Sequence, residues 1–328
     1  MSEPAVFVRG LHKKYGELEA VRGIDLDVAP GEVFGFLGPN GAGKSTTIKI
    51  LCTLAHPSSG EAKVAGFDVV RERDEVRRHI GLVFQDTTLD DYLTAEQNLG
   101  FHAELYGIPS SAVAPRMQQV MEMVGLWERR GSLVQTFSGG MKRRLEIARG
   151  LIHSPRVLFL DEPTVGLDPQ TRVSIWNYIR ELKQREAITM FMTTHYMDEA
   201  EYCDRIAIID HGKIVALGTP EDLKAKVGKD RVQIRTADDA AAMAALQAKF
   251  AIAAAKHEGM VTFAVAQGEQ FVPRLFAELG VPILQIHVAR PTLDDVFLAL
   301  TGHAAEEKKA EEPDGAVAQS RRPARSRA

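Results

Sequence analysis

Cysteine is nearly missing from this chain. Its 328 residues hold two, Cys52 and Cys203, far apart and without metal-ligand spacing. That argues against a disulfide framework and a cysteine-built metal site, and makes a reduced, cytoplasmic setting the plain expectation. An excess of one charge sign is missing too. Lys and Arg number 40 against 44 Asp and Glu, a net charge of −4, so no global basic field points to nucleic acid. Long hydrophobic runs are absent. The longest apolar-looking stretch, residues 240–255, is alanine-rich and carries Gln247 and Lys249, too short and too polar to span a bilayer. No N-terminal run has signal-peptide anatomy, and no internal repeat occurs. If the protein works at a membrane, a partner does the spanning. The rest is ordinary for a globular chain of two domains, or of one with an appendage: 45% hydrophobic and 26% charged residues.

What is present is organised around Gly38-Pro39-Asn40-Gly41-Ala42-Gly43-Lys44-Ser45-Thr46, an ungapped match to the phosphate-loop pattern G-x-x-x-x-G-K-[ST]. An apolar run at 33–37 precedes it as a buried strand, and a helix start follows, which is the context the motif needs. The glycines let successive N–H groups point at phosphate oxygens, and the helix N-terminus adds its positive dipole end. Lys44 is placed to reach β- and γ-phosphates, and the Ser45 hydroxyl to ligate Mg²⁺.

Upstream, Val6-Phe7-Val8 and Ile24-Asp25-Leu26-Asp27-Val28 alternate in the β manner. Between them Tyr15 offers a flat ring for stacking on a base, or simply edges a strand. Ile80-Gly81-Leu82-Val83-Phe84-Gln85 reads as a strand ending on an amide, either a neutral oxygen ligand for Mg²⁺ or a polar strand end. Thr94-Ala95-Glu96-Gln97 fits a capping box that opens a helical stretch over 91–150, broken at Pro109 and Pro115 and punctuated by Gly125 and Gly131. Within it, Ser138-Gly139-Gly140 stands where an N-cap belongs, a second helix N-terminus suited to an anion. Lys142-Arg143-Arg144 behind it reads at least in part as a solvated helix face.

Val157-Leu158-Phe159-Leu160-Asp161-Glu162 is a buried strand with two carboxylates at its carboxyl end, where open parallel sheets bind ligands. Asp161 suits Mg²⁺ coordination, direct or through water, and Glu162 the base or water-positioning role; the alternative is a pair of acids capping the next turn. Gly166-Leu167-Asp168-Pro169 leads into a helix over 170–185. A further apolar strand, 188–194, ends at His195, either a γ-phosphate contact or an ordinary polar histidine. Beyond about Thr219 alanine rises and the phosphate chemistry does not recur. Strands at 231–236, 252–256, 261–266 and 283–288 alternate with helices at 238–250 and 269–279, the order of a small split β-α-β unit. Residues 293–300 read as a closing helix. From His303 onward the chain is acidic, then Arg-rich, and predicts a disordered tail.

Taken in order, these motifs resemble the ATP-binding-cassette nucleotide-binding domain across roughly residues 4–220. The resemblance implies an α/β P-loop NTPase: a RecA-like core, an antiparallel β subdomain and an α-helical subdomain at about 86–150. A small α+β C-terminal domain at 221–302 and the tail 303–328 follow. It implies ATP and Mg²⁺ as ligands. ATP contacts fall at Tyr15, which stacks on adenine, at Gly38, Pro39, Asn40, Gly41, Ala42, Gly43, Lys44, Ser45 and Thr46, at Gln85, at the signature Ser138-Gly139-Gly140, and at Asp168. Ser45, Gln85 and Asp161 serve the metal, Gln85 also linking it to the transport partner. Glu162 is the catalytic carboxylate and His195 the switch histidine. The commonest signature has Leu before and Gln after Ser-Gly-Gly; here they are Phe137 and Met141, while the anion-binding groups are kept.

A closer resemblance covers nearly the whole chain. Phe137-Ser138-Gly139-Gly140-Met141-Lys142-Arg143-Arg144 and Arg290-Pro291-Thr292-Leu293-Asp294-Asp295-Val296-Phe297-Leu298-Ala299-Leu300-Thr301-Gly302 look like the daunorubicin-resistance type of exporter ATPase. That implies a peripheral ATPase on the cytoplasmic face of the membrane. It powers a separate six-helix ABC-2 type permease that exports drugs, antibiotics, lipids or polysaccharides. It also implies a homodimer in which the Ser-Gly-Gly cap of one copy closes on ATP held by the other, and no nucleic-acid partner.

Overall fold

The computed structural model describes residues 3–186, 188–257 and 259–302; the expected tail at 303–328 lies outside them. The chain opens with a hairpin, β1 (Val6–Tyr15) and β2 (Leu18–Val28), then β3 (Val33–Leu37), the glycine loop and α1 (Lys44–Leu51). β4 (Ser59–Val64) and β5 (Phe67–Asp68) return to the hairpin, and α2 (Arg73–His79) leads into β6 (Ile80–Val83). Three helices follow: α3 (Ala95–Leu105), α4 (Ser110–Met123) and α5 (Gly139–Leu151). Next come β7 (Val157–Asp161), α6 (Pro169–Glu186), β8 (Thr189–Thr194), α7 (Met197–Ala200), β9 (Arg205–Asp210), β10 (Lys213–Gly218) and α8 (Pro220–Val227). The last stretch holds β11 (Asp230–Thr236), α9 (Asp239–Phe250), β12 (Ala255–His257), β13 (Met260–Val265), α10 (Gly268–Glu278), β14 (Ile283–Ala289) and α11 (Leu293–Thr301).

Every residue of β3, β7 and β8 is buried. Strands of this kind need cover on both faces. They form the centre of a six-stranded sheet, β10-β9-β3-β8-β7-β6, parallel except for β10. Alternation splits their side chains between two cores. Phe34, Phe36, Phe159 and Phe191 point one way and pack with α1 and the β2-β1-β4-β5 sheet; ring centroids of 5.4–5.5 Å join Phe191 to the other three. Val33, Leu37, Leu158, Leu160, Met190 and Met192 point the other way, toward the helices. The antiparallel β subdomain, the parallel core and the helical layer expected from the sequence are therefore present. So is the split unit, a four-stranded antiparallel sheet ordered β12-β13-β11-β14 with its own core.

Some elements depart from the expected ones. The hairpin is far longer than the two short strands read from alternation. Gly10 and Gly23, at φ 51° and 74°, lie where its register shifts, and the period of two is lost there. β6 stops at Val83, before Gln85. Pro115 is carried inside α4 rather than breaking it. Ile252 is not in a strand: Ala251 adopts φ 55° and the Ile252 N–H donates to the Leu246 carbonyl, closing α9. β12 is left with three exposed residues.

The closing helix does not stay with the split unit. Leu293, Val296 and Phe297 of α11 enter the helix-side core of the first unit, where α11 packs on α7 and α8. Thr292 and Asp295 cap it reciprocally. Phe297 is 2% exposed; Phe297→Ala should cost about 3–5 kcal/mol. Hydrogen exchange should then accelerate in α7 and α8 while the β11–β14 sheet keeps its protection. Loss of protection confined to that sheet would contradict the packing.

Candidate functional site

β3 delivers the chain to the glycine loop. A Cβ on Gly38 would lie 2.3 Å from the Ile209 carbonyl oxygen. Gly43, at φ 110°, caps α1, and a Cβ there would come within 2.5 Å of the Ala20 carbonyl oxygen. The loop is thus pinned by β9 at its start and β2 at its end. Pro39 is half-buried, Asn40 and Gly41 are exposed at the tip, and Ala42 is buried with its carbonyl accepting from the Gly212 N–H at 2.9 Å. No side chain caps α1. A helix start without a side-chain cap is a place where backbone N–H groups can meet an anion.

Lys44 is 4% exposed. Its Nζ donates to the carbonyls of Gly38 at 2.8 Å and Pro39 at 3.2 Å, and lies 3.3 Å from Glu162 Oε1. His195 Nδ1 stands 3.3 Å from the same oxygen, close enough to pair charge though not aligned as a hydrogen bond. Ser45 Oγ donates to Asp161 Oδ1 at 3.4 Å. Thr193 Oγ1 donates to that oxygen at 2.5 Å and accepts from the Glu162 N–H at 2.9 Å. The parallel register sets these meetings: Leu37 lies opposite Thr194, and Asp161 opposite Thr193. Lys44, Ser45, Asp161, Glu162 and His195, five sequence candidates, therefore converge.

Glu162 is strained as well as buried. Its φ is 46°, a left-handed conformation that costs a non-glycine residue roughly 1–2 kcal/mol. Burial alone would raise its pKa. The close approach of His195 and the charge of Lys44 act the other way and prevail, leaving the carboxyl below the ordinary glutamate value.

The other candidates stand outside this cluster. Tyr15 is exposed at the hairpin tip, with Lys13 Nζ 4.7 Å from its ring centroid. Gln85 is exposed, two residues past β6. Ser138 is the N-cap of α5, accepting from the Met141 N–H at 3.3 Å; it and Gly139 are exposed. Gly140 is buried against α6, where a Cβ would sit 2.3 Å from Thr171 Cγ2. Asp168 spends both carboxylate oxygens on Thr171, on its N–H at 3.0 Å and its hydroxyl at 2.5 Å, capping α6.

Three supporting residues were not singled out from sequence. Thr193 ties Asp161 to Glu162. Glu199, 1% exposed, accepts from the hydroxyls of Thr194 and Thr164 on either side of the site, and burial raises its pKa against those bonds. Arg143 hydrogen-bonds the carbonyls of Asp161, Glu162 and Pro163. A weak signal for Arg143 existed: three consecutive helical residues span about 200° of the helix, more than half its circumference, so one of Lys142-Arg143-Arg144 can turn toward the packed side.

Among the described residues no three His, Cys, Asp or Glu side chains converge as a preformed metal site. A Mg²⁺ that arrives with phosphate needs only one or two protein oxygens, and Ser45 Oγ beside Asp161 Oδ1 fits that requirement.

Because the folded Glu162 binds a proton less readily than the unfolded chain does, its ionised contacts stabilise the fold fully above the unfolded pKa of about 4.3. That contribution is lost as pH falls through the lower folded value. Melting of the nucleotide-free protein should be compared with Glu162→Gln across pH. The difference between them should hold steady above about pH 5.5 and move against the wild type on further acidification; a difference that ignores pH would contradict the pairing.

Comparison with known proteins follows this geometry. Residues 21–165 match the ABC transporter family, and residues 218–301 the family described as ATP-binding protein DrrA1-3-like, C-terminal domain. The chain is 39% identical to the daunorubicin resistance ATP-binding protein DrrA3 of Streptomyces coeruleorubidus, over 94% of this chain and 100% of that one. It is 38% identical to the linearmycin resistance ATP-binding protein LnrL of Bacillus subtilis, over 89% and 96%. Among solved structures it resembles cbiO1 of Clostridium perfringens, part of the ABC transporter complex cbiONQ. There the TM-score is 0.65 at 30% identity, covering 69% of this chain and 92% of that one. It also resembles the dimeric ATP-binding cassette MJ0796 bound to ADP and Pi, with TM-score 0.59 at 27% identity over 65% and 98%. A phosphate loop closed by Lys44, a strand-end Asp161-Glu162 pair and relatives matched along nearly their full length place this chain among the ATP-binding, ATP-hydrolysing subunits of ABC transporters, in the daunorubicin-resistance group.

Proposed function

We propose that this protein binds Mg²⁺-ATP as a homodimer and drives export of a drug, antibiotic or lipid-like molecule through a separate ABC-2 type permease, at the cytoplasmic face of the membrane. The carrying observation is a site built in halves. Lys44, Glu162 and His195 form a buried cluster next to an uncapped helix start, whereas Ser138 and Gly139 form an exposed helix start outside it. One copy then supplies the phosphate loop and the other the Ser138 cap; that the similar cassette MJ0796 is dimeric supports such pairing. No helix among the described residues is long and apolar enough to cross a membrane, so the transport path belongs to a partner.

In this reading the triphosphate lies along the N–H groups of residues 41–46, with Lys44 turning from the loop carbonyls to the β- and γ-phosphates. Tyr15 presents its exposed ring to adenine. Ser45 and Asp161, with Gln85 from its loop, hold the metal, which spreads phosphate charge when bound. Glu162, released from Lys44, orients the attacking water, and His195 meets the γ-phosphate from the neighbouring strand end. Asp168 already caps α6, so its part is to set the loop between the two copies. Loss of the γ-phosphate removes a contact that only the closed dimer makes, which shifts the population toward the open one. The relatives' names, which speak of resistance to daunorubicin and linearmycin, support export of an antibiotic-like cargo.

Glu162→Gln should keep Mg²⁺-ATP binding while turnover falls by about 10²–10⁴; near-native turnover would remove Glu162 from the catalytic role. Lys44→Ala should abolish the rise in melting temperature that Mg²⁺-ATP gives the wild type. The exporter reading is tested by recovering tagged Glu162→Gln from native membranes with ATP present. A stoichiometric polytopic membrane subunit is expected; recovery of only ribosomal or nucleic-acid partners would overturn it.

A further inference from the structure

The guanidinium of Arg143 is buried, with 6% of the residue exposed, and commits all five of its N–H donors. Nε donates to the Pro163 carbonyl at 2.6 Å. One terminal nitrogen donates to the carbonyls of Asp161 and Glu162, each at 3.2 Å. The other donates to the Phe84 carbonyl and to Glu146 Oε2, the latter at 3.0 Å. Three of the acceptors are consecutive carbonyls of the strand end that carries Glu162 in its left-handed conformation. A fourth belongs to the residue before Gln85.

The same helix grips that loop twice more. Glu146, fully buried, accepts from the Thr88 N–H at 2.9 Å. Arg149 donates to the Thr88 carbonyl at 2.8 Å and to its hydroxyl. α5 therefore holds the loop at 84–88 through three side chains, and holds the Asp161–Pro163 backbone through one of them. α5 is also the helix whose start is the Ser138 cap.

We propose that Arg143 is a positioning residue that ties the loop at 84–88 to the backbone of Asp161, Glu162 and Pro163, so that displacement of the loop moves the Glu162 carboxylate. The inference rests on the reading above, in which Glu162 orients water, and on the family resemblance, which implies that Gln85 links the site to the transport partner. The guanidinium is planar and its donors are fixed in a fork. Two backbone segments bonded to one rigid fork move together, or bonds to buried carbonyls are lost. Lysine cannot replace it: an ammonium has three donors, and five acceptors converge here. Glu146 supplies the counter-charge that lets the cation stay buried.

Two variants test this. Arg143→Lys keeps the charge beside Glu146 but cannot span both segments. The double variant Arg143→Met with Glu146→Met removes the buried pair as a unit. Either should melt within several degrees of the wild type and bind Mg²⁺-ATP normally, while kcat falls about tenfold or more with KM changed less than about threefold. Hydrogen exchange gives the second readout. Saturating Mg²⁺-AMP-PNP should alter protection of residues 84–90 in the wild type, and that response should vanish in the variants although nucleotide is bound. If Arg143→Lys does not fold, the double variant decides. Native kcat with an intact loop response overturns the proposal, and so does failure of both variants to fold, which makes Arg143 a scaffold residue. If Glu162→Gln keeps its turnover, the reading of the site itself fails; if only the Arg143 variants keep theirs, this inference alone fails.

Discussion

Lysine and glutamate are rarely buried unless paired, and here Lys44 and Glu162 are buried 3.3 Å apart. Removing one partner would leave the other charge buried with only its lesser contacts, His195 for Glu162 or two carbonyls for Lys44, and breaking a buried pair costs about 3–5 kcal/mol in comparable cases. The surrounding architecture maintains that meeting. β3 ends beside β8, and β8 beside β7, so the loop that carries Lys44 and the strand that carries Glu162 finish at the same edge of the sheet. Four phenylalanines on one face and a row of Met, Leu and Val on the other hold those strands in place. Gly38 and Gly43 let the loop pass beneath Ile209 and Ala20 at distances no side chain would allow.

In the proposed reading, the ion pair is also what a nucleotide undoes. A γ-phosphate offers Lys44 a denser negative charge than one carboxylate oxygen, and accepts the N–H groups of an otherwise uncapped helix. Glu162 would then give up a cation but keep its backbone tethers to Thr193 and Arg143. Those tethers matter because the residue is in a conformation it would leave if loosened. In this account the protein stores a carboxylate in position, held by the cation that the substrate later claims.

Local patterns carried much of this into the sequence. The phosphate loop is contiguous. The Ser138 cap and the Thr94–Gln97 capping box are contained within a few residues each, and the structure makes both as read. The Asp161-Glu162 pair follows an apolar run that reads as a buried strand, and β7 is one. What depends on pairing between distant segments was not legible. Thr193 looked like any strand residue until β8 lay beside β7. Arg143 looked solvated because four of its five acceptors are backbone carbonyls 18–20 and 59 residues away. α11 read as the end of the split unit because nothing in its own amphipathic pattern says which core it joins. Ile252 read as strand because the helix-closing turn depends on Ala251, a residue not usually found at φ 55°.

The central claim is that one copy holds half of a site and ATP joins two. Light scattering on Glu162→Gln, with and without saturating Mg²⁺-ATP, tests it most directly. The account predicts the mass of one chain without nucleotide and of two with it, and a return to one when Ser138→Arg is added, although each copy still binds ATP. A protein that stays at one chain mass while saturated with ATP, or that pairs equally well with the Ser138 position blocked, would contradict it.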